Sequence, residues 1–467
     1  MTLSRGAGCA TVLLLAWTAA RAASTFDYPG LGTVTVEQPA GTPRQVVIFL
    51  SGDGGWNKGV VDMARHLADE GALVAGVDVT QMQRRAQESS AACVSAAGTL
   101  EGLSHYVEQS FDLQAYEKPL LVGYSSGATL AYATLAQAPP GTFKGAISLG
   151  FCPDLEWSKP LCRGEGLAHD PIRNGFLYLP APKLQDPWIA LQGEQDQVCS
   201  SAKTREFVEH VPGAELVLLP KVGHGYAVER NWLPQFTAAF RRIAVTDPPG
   251  PPQSADVEDL PLVELPVDQS SQDSFAIMLS GDGGWAGLDK EVAAELNARG
   301  VAVVGWDSLR YFWQARTPEE AARDLDRTIR HYSQAWKKPR ALLIGYSQGA
   351  DVLPFMVNRL PEETRARVEG TALIALSAEA FFEFSVSHWI HTPTGGLPVL
   401  PEIERSGPGR LSCIYGVDEK DSLCPMLKTK GVHSIELPGG HHFDGDYARV
   451  AGAVLDGLRP PPEPRVN

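Results

Sequence analysis

Unbroken apolar runs recur along this chain, each followed by a stretch in which apolar residues return at helical spacing. Residues 46–50, VVIFL, lead through SGDGGW into NKGVVDMARHLADEG and then into LVAGVDV, which ends near an aspartate. Residues 275–279, FAIML, lead through the same SGDGGW into a second helix-period stretch and then VAVVGWDS. Runs that are apolar at every position fit strands buried on both faces of a parallel sheet, and the intervening periods fit helices that cover it. Further on, LLVGYSSGATLAYA (120–133) and LLIGYSQGADVLPF (342–355) repeat one more pattern of strand, glycine-flanked serine and helix.

The chain is therefore read as an internal duplication. Between the copies lies TDPPGPPQSADVEDLPLVELPVDQSSQDS, whose prolines, acids and serines predict a linker over 246–274. The expected organisation is a first domain over 23–245, a second over 275–458, and a Pro-rich tail over 459–467. Each domain is predicted to be an α/β unit, a mostly parallel sheet flanked by helices.

The termini and cysteines change the cellular picture. Arg5, the apolar stretch 10–17 and the small residues ending Ala20-Arg21-Ala22 have the order of a secretory signal, with cleavage after about Ala22. No later stretch is long and apolar enough for a membrane span, so a soluble, exported protein is expected. Six cysteines follow Cys9, an even number that suggests disulfides in an oxidising compartment. Cys413 pairs naturally with Cys424, Cys152 with Cys162 as the short loop, and Cys93 with Cys199 by elimination. No C-x2-C pair argues for zinc or another metal, and no cofactor is expected. A net charge of −15 argues against nucleic acid as a partner.

The candidate chemistry lies in the serines. G-x-S-x-G between a strand and a helix is a nucleophile elbow, which predicts two tandem α/β-hydrolase-like domains, and in α/β-hydrolases the acid and then the histidine follow the serine in the chain. In the second copy Ser347 is followed by CIYGVDEKDSLC and GGHHFDGDY, and in the first Ser125 is followed by GEQDQVC and GHGY. The shared D-x-x-C register matches Asp421 to Asp196, with Asp418 as the competitor. G-H-x-[FY] matches His441 to His224, with His442 as the competitor. The preferred catalytic set is Ser347, Asp421 and His441; Ser125, Asp196 and His224 are the second choice. The hexamer loop, Gly281, Asp282 and Gly283, is placed to feed an oxyanion hole together with the backbone N–H of Gln348, or of Ser126 in the first copy. A carboxylate there is unfavourable unless it holds the loop or faces a substrate cation, and Trp285 is a candidate for substrate contact.

These motifs resemble the AcvB/VirJ family, exported α/β-hydrolases linked to bacterial virulence. The doubled SGDGGW, GYSQGADVLPF, CIYGVDEKDSLC and GGHHFDGDY carry the resemblance, and the two-domain layout looks like the AcvB-type members. The resemblance implies a periplasmic location and hydrolysis of lysyl-phosphatidylglycerol, an aminoacylated phospholipid of the membrane surface. An ammonium-bearing substrate would give Asp282 a partner. Shorter relatives resemble the second domain, which favours Ser347. Two other readings stay open: an adaptor for type IV secretion or other virulence proteins on a hydrolase fold, and a general carboxylesterase or dienelactone-type hydrolase.

Overall fold

The computed structural model describes residues 23–164, 166–245, 256–267, 272–384, 395–406 and 411–458. The stretch read as a secretory signal (1–22) and the one read as a Pro-rich tail (459–467) lie outside these residues. In the first half the strands are β1 (Ser24–Tyr28), β2 (Gly32–Glu37), β3 (Gln45–Leu50), β4 (Ala72–Val77), β5 (Leu120–Tyr124), β6 (Gly145–Leu149), β7 (Asp154–Leu155), β8 (His169–Ile172), β9 (Gly175–Tyr178), β10 (Trp188–Gly193) and β11 (Glu215–Leu219). Eight of them form one sheet in the order β1-β2-β4-β3-β5-β6-β10-β11. It is parallel from β4 to β11, with β2 and β1 added antiparallel at one edge.

In the second half the strands are β12 (Leu262–Leu265), β13 (Ser274–Leu279), β14 (Ala302–Trp306), β15 (Arg340–Tyr346), β16 (Val368–Ile374), β17 (Glu379–Ala380), β18 (Leu397–Pro398), β19 (Leu411–Gly416) and β20 (His433–Leu437). The order β12-β14-β13-β15-β16-β19-β20 repeats the first sheet without its β1. The unbroken apolar runs become the central strands because both faces are covered. In β3, Val47 and Phe49 enter one core while Ile48 and Leu50 enter the other. In β13, Phe275, Ile277 and Leu279 face one side and Ala276 and Met278 the opposite side.

Two expectations need correction. The stretch read as a linker contains β12, antiparallel to β14, and Val257, Leu260 and Leu262 are buried in the second core. The acids and prolines around these three residues hide the apolar positions that dock. The disulfides are Cys93–Cys162, Cys152–Cys199 and Cys413–Cys424. Only the last matches the expected pairing. Cys152 follows β6 and Cys199 follows the neighbouring β10, so the sheet itself brings those two together. Cys162 is carried back to the segment before the helix Ala96–Ser110, where Val94 bridges Leu161.

The halves pack against each other through that helix. Leu100, Leu103 and Val107 enter the first core. Glu101, His105 and Gln109, spaced by one helical turn each, form the other stripe. His105 packs on Trp313 and Phe384, and Gln109 Nε2 donates to Phe384 O at 2.8 Å. Trp313 Nε1 donates to Leu113 O at 2.7 Å and Lys290 Nζ to Pro140 O at 2.8 Å. Tyr116, Leu309, Trp313 and Phe384 form a small apolar cluster between the halves. Burial pushes the His105 imidazole down to about 3, so it is neutral there at any physiological pH.

Peptide mapping of the unreduced protein should return Cys93–Cys162 and Cys152–Cys199. Replacing Cys152 and Cys199 together by serine is expected to lower the unfolding free energy by about 2–4 kcal/mol in denaturant melts. Recovery of a Cys152–Cys162 peptide would contradict this fold.

Candidate active site

Each G-x-S-x-G motif is a sharp turn between a strand and a helix. Ser125 follows β5 and precedes the helix Ser126–Gln137; Ser347 follows β15 and precedes the helix Gln348–Asn358. Their φ angles are 56° and 51°, a region that L residues rarely occupy. The flanking glycines make the turn possible. A Cβ on Gly349 would lie 2.4 Å from Leu279 O, and one on Gly345 would lie 2.5 Å from Gly349 O. The first hexamer glycine is held against the nucleophile: a Cβ on Gly281 would sit 3.4 Å from Ser347 Cβ, and one on Gly52 would sit 3.1 Å from Ser125 Cβ. The loop thus lies beside the serine at the N-terminus of a helix, where unpaired backbone N–H groups favour a developing negative charge.

Both serines meet a histidine. Ser125 Oγ is 2.9 Å from His224 Nε2, and His224 Nδ1 is 2.8 Å from Asp196 Oδ2. Asp196 is further held by the N–H groups of Val198 and Cys199 at 2.9 and 2.8 Å and by Gln192 Nε2 at 3.1 Å. Ser347 Oγ is 3.1 Å from His441 Nε2. His441 Nδ1, however, is 2.6 Å from Glu419 Oε1.

The acid of the second site is therefore Glu419. Neither Asp421 nor Asp418 occupies that position; both are exposed on the same loop. The D-x-x-C register fails because its two cysteines do different work. Cys199 is tied to Cys152 beyond the neighbouring strand, whereas Cys424 is tied to Cys413 inside β19. The correct register starts from the glycine that ends each strand. Gly193 and Gly416 each approach the histidine-bearing loop closely: their Cβ atoms would lie 2.3 Å from Val222 O and 2.4 Å from Gly440 O. Asp196 and Glu419 each stand three residues later, in turns closed by Asp196 N→Gly193 O and Glu419 N→Gly416 O. Glu419 Oε2 also accepts from Gly416 N at 2.8 Å, which holds the longer side chain back toward the strand.

His442 is turned away from Ser347. Its Nδ1 is 3.0 Å from Tyr346 Oη, and burial, then the neighbouring His441, holds its pKa below the usual imidazole value. Tyr346 and Tyr124, the residues before the nucleophiles, carry a further role that the sequence motifs do not advertise. Tyr124 Oη donates to His224 O at 2.8 Å and Tyr346 Oη to His441 O at 3.2 Å, so each anchors its histidine loop. The hexamer serines are ties as well: Ser51 Oγ accepts from Val79 N and Ser280 Oγ from Ser308 N, at 3.0 and 2.9 Å.

Trp285 does not contact substrate space. Its ring covers Gly305, where a Cβ would lie 2.4 Å from it, and it belongs to the core. Asp282 and Gly283 do line a cavity of about 550 Å³, together with Gly281, Asp289, Ser347 and His441. The opposite wall comes from the first half, from Glu101, Gln137, Pro139 and Thr142. Gln348 is set back from it: its side chain donates to Phe381 O at 3.1 Å, leaving its main-chain N–H as the group next to the nucleophile. The second triad is the more open, with the His441 side chain 43% exposed against 19% for His224. Among the described residues, Asp196, Cys199 and His224 converge within the reach of a metal ion, but the Cys199 sulfur is bound to Cys152 and is no ligand.

Serine, acid and histidine in this chain order, at strand ends of a parallel sheet, define an α/β-hydrolase. The family model for the bacterial virulence protein VirJ matches residues 44–147 and 273–461. These two segments make up more than half of the chain, which belongs to that family. Similar solved structures include Est1E from Butyrivibrio proteoclasticus, 14% identical with a TM-score of 0.32, covering 48% of this chain and 98% of its own. A putative dienelactone hydrolase from Klebsiella pneumoniae is 17% identical with a TM-score of 0.36, again covering 48% and 98%. An α/β serine hydrolase without lid from Xanthomonas campestris is 19% identical with a TM-score of 0.32, covering 50% and 96%. No curated protein matches the chain.

In a Ser125→Ala background, Glu419→Gln is expected to slow hydrolysis of a p-nitrophenyl ester roughly a thousandfold or more, since an amide there no longer stabilises the imidazolium. Asp418→Asn and Asp421→Asn should each stay within about threefold, as for exposed positions. A crippled Asp421→Asn beside an active Glu419→Gln would restore the D-x-x-C register.

Proposed function

We propose that this chain is an exported serine esterase that cleaves the aminoacyl ester of lysyl-phosphatidylglycerol, with Ser347 as nucleophile. The observation that carries this reading is the acidic cavity onto which Ser347 and His441 open. Three disulfides support an oxidising compartment such as the periplasm. Among the described residues no helix is long and apolar enough to cross a membrane.

In this reading Ser347 Oγ attacks the ester carbonyl while His441 Nε2 takes its proton. Glu419 holds the imidazole through Nδ1 and stabilises the imidazolium. The N–H groups of Gln348 and of the hexamer loop receive the developing oxyanion. His441 then returns the proton to the departing glycerol oxygen, releasing phosphatidylglycerol and leaving lysine esterified to Ser347. Water activated by His441 attacks that acyl-enzyme and frees the amino acid. An aminoacyl ester is a reactive acyl donor, which suits a serine mechanism with no cofactor.

A second reading concerns the first half. Ser125, His224 and Asp196 are fully connected, with Asp196 held by four donors counting His224, and this favours a second esterase centre in the same chain.

Release of free lysine from vesicles containing lysyl-phosphatidylglycerol tests both readings. Ser347→Ala should reduce the rate about a thousandfold or more, while Ser125→Ala should retain most of it. Near wild-type release by Ser347→Ala would remove the second domain from the chemistry, and loss in Ser125→Ala alone would move the centre to the first.

A further inference from the structure

The cavity beside Ser347 is shared between the two halves of the chain, and its acids come from both. Glu101 stands on the helix Ala96–Ser110 of the first half. Asp282 stands in the hexamer loop of the second, and Asp289 in the first turn of the helix Gly287–Ala298. No lysine or arginine is among the described residues that line this space. Asp289 is only 3% exposed, and its Oδ1 has no hydrogen-bond partner among the described residues.

We infer that Glu101, with Asp282 and Asp289, forms a binding site for the side-chain ammonium of the aminoacyl group, so that the first domain supplies the specificity wall of the second domain's active site. This rests on Ser347 being the nucleophile of an aminoacyl esterase. Burial and then the charge of Asp282 push the Glu101 carboxyl up to about 8, and burial pushes Asp289 well above the carboxylate range. Glu101 and Asp289, buried in this way, favour their protonated forms when nothing positive is near. An entering ammonium favours their ionised forms and gains charge-assisted hydrogen bonds. Among the described residues, ligand atoms of Glu101, Asp282 and Asp289 do not all lie within 4.8 Å of one another, as a compact metal site requires. A spread site suits an ammonium carried on a flexible stem. The same arrangement explains why the polar stripe of one helix contains a carboxylate at Glu101, a neutral ring at His105 and an amide at Gln109. The latter two bind the halves together, and the first is left facing the cavity.

Calorimetric titration of the full chain carrying Ser347→Ala separates this inference from the catalytic reading. The probes are lysinamide and norleucinamide, which differ by the side-chain ammonium. Lysinamide is expected to bind about tenfold or more tightly than norleucinamide, and Glu101→Gln should bring the two within about twofold. Asp282→Asn should do the same, which guards against a defect peculiar to one variant. Equal affinities for the two probes without the Glu101 change, or a preference that survives Glu101→Gln, would overturn the inference. So would Glu101-dependent binding of Mg²⁺ with no binding of lysinamide. Failure of the catalytic reading would appear elsewhere, as undiminished ester hydrolysis by Ser347→Ala.

Discussion

Both sites depend on one backbone constraint. A serine is held at φ near +50° between a buried strand and a helix that crosses it too closely for any side chain but hydrogen. The strand fixes the position of the hydroxyl, the helix aims N–H groups at it, and the adjacent hexamer glycine closes the remaining side. Everything else is arranged around that fixed point. The strand-end glycine in β10 and β19 lets the histidine loop approach, and the acid three residues later reaches the imidazole. The tyrosine before the serine anchors the same loop. The strain at the serine is borne by a sheet whose central strands are buried on both faces.

Much of this was legible in the sequence. The unbroken apolar runs identify parallel strands, and the doubled hexamer and elbow identify the duplication. The order of serine and histidine after them places both pairs that the structure brings within hydrogen-bonding distance. Where the reading failed, the cause was a local pattern competing with a packing constraint. D-x-x-C is shared by the two copies, but Cys199 and Cys424 answer to different partners, so the pattern does not mark equivalent positions. The close approach at Gly193 and Gly416 does, and G-x-x-[DE] counted from the end of the strand leads to Glu419. The disulfides failed for a related reason. Pairing the nearest cysteines ignores that adjacent strands bring Cys152 and Cys199 together across 47 residues. The segment around β12 has the composition of a linker because an edge strand needs few apolar positions to dock.

Duplication has a consequence that neither copy shows alone. The helix Ala96–Ser110 serves its own core with one face and the second domain with the other. Its polar stripe, at one residue per turn, is filled by the neighbouring domain's rings, carbonyls and cavity. A domain repeated in one chain can thus become part of its twin's binding site while retaining its own connected triad. The sequence shows Glu101, His105 and Gln109 as an ordinary polar face. Only the packing of the halves tells that this face is covered.

The central claim is that Ser347 is an activated nucleophile, with its activation set by His441 and Glu419. Treating the full chain with a fluorophosphonate and mapping the adduct by mass spectrometry tests it directly. The account predicts a covalent adduct on Ser347 that forms far more slowly in Glu419→Gln. A chain that reacts at no serine, or reacts at Ser347 equally fast with and without the Glu419 carboxylate, would contradict it.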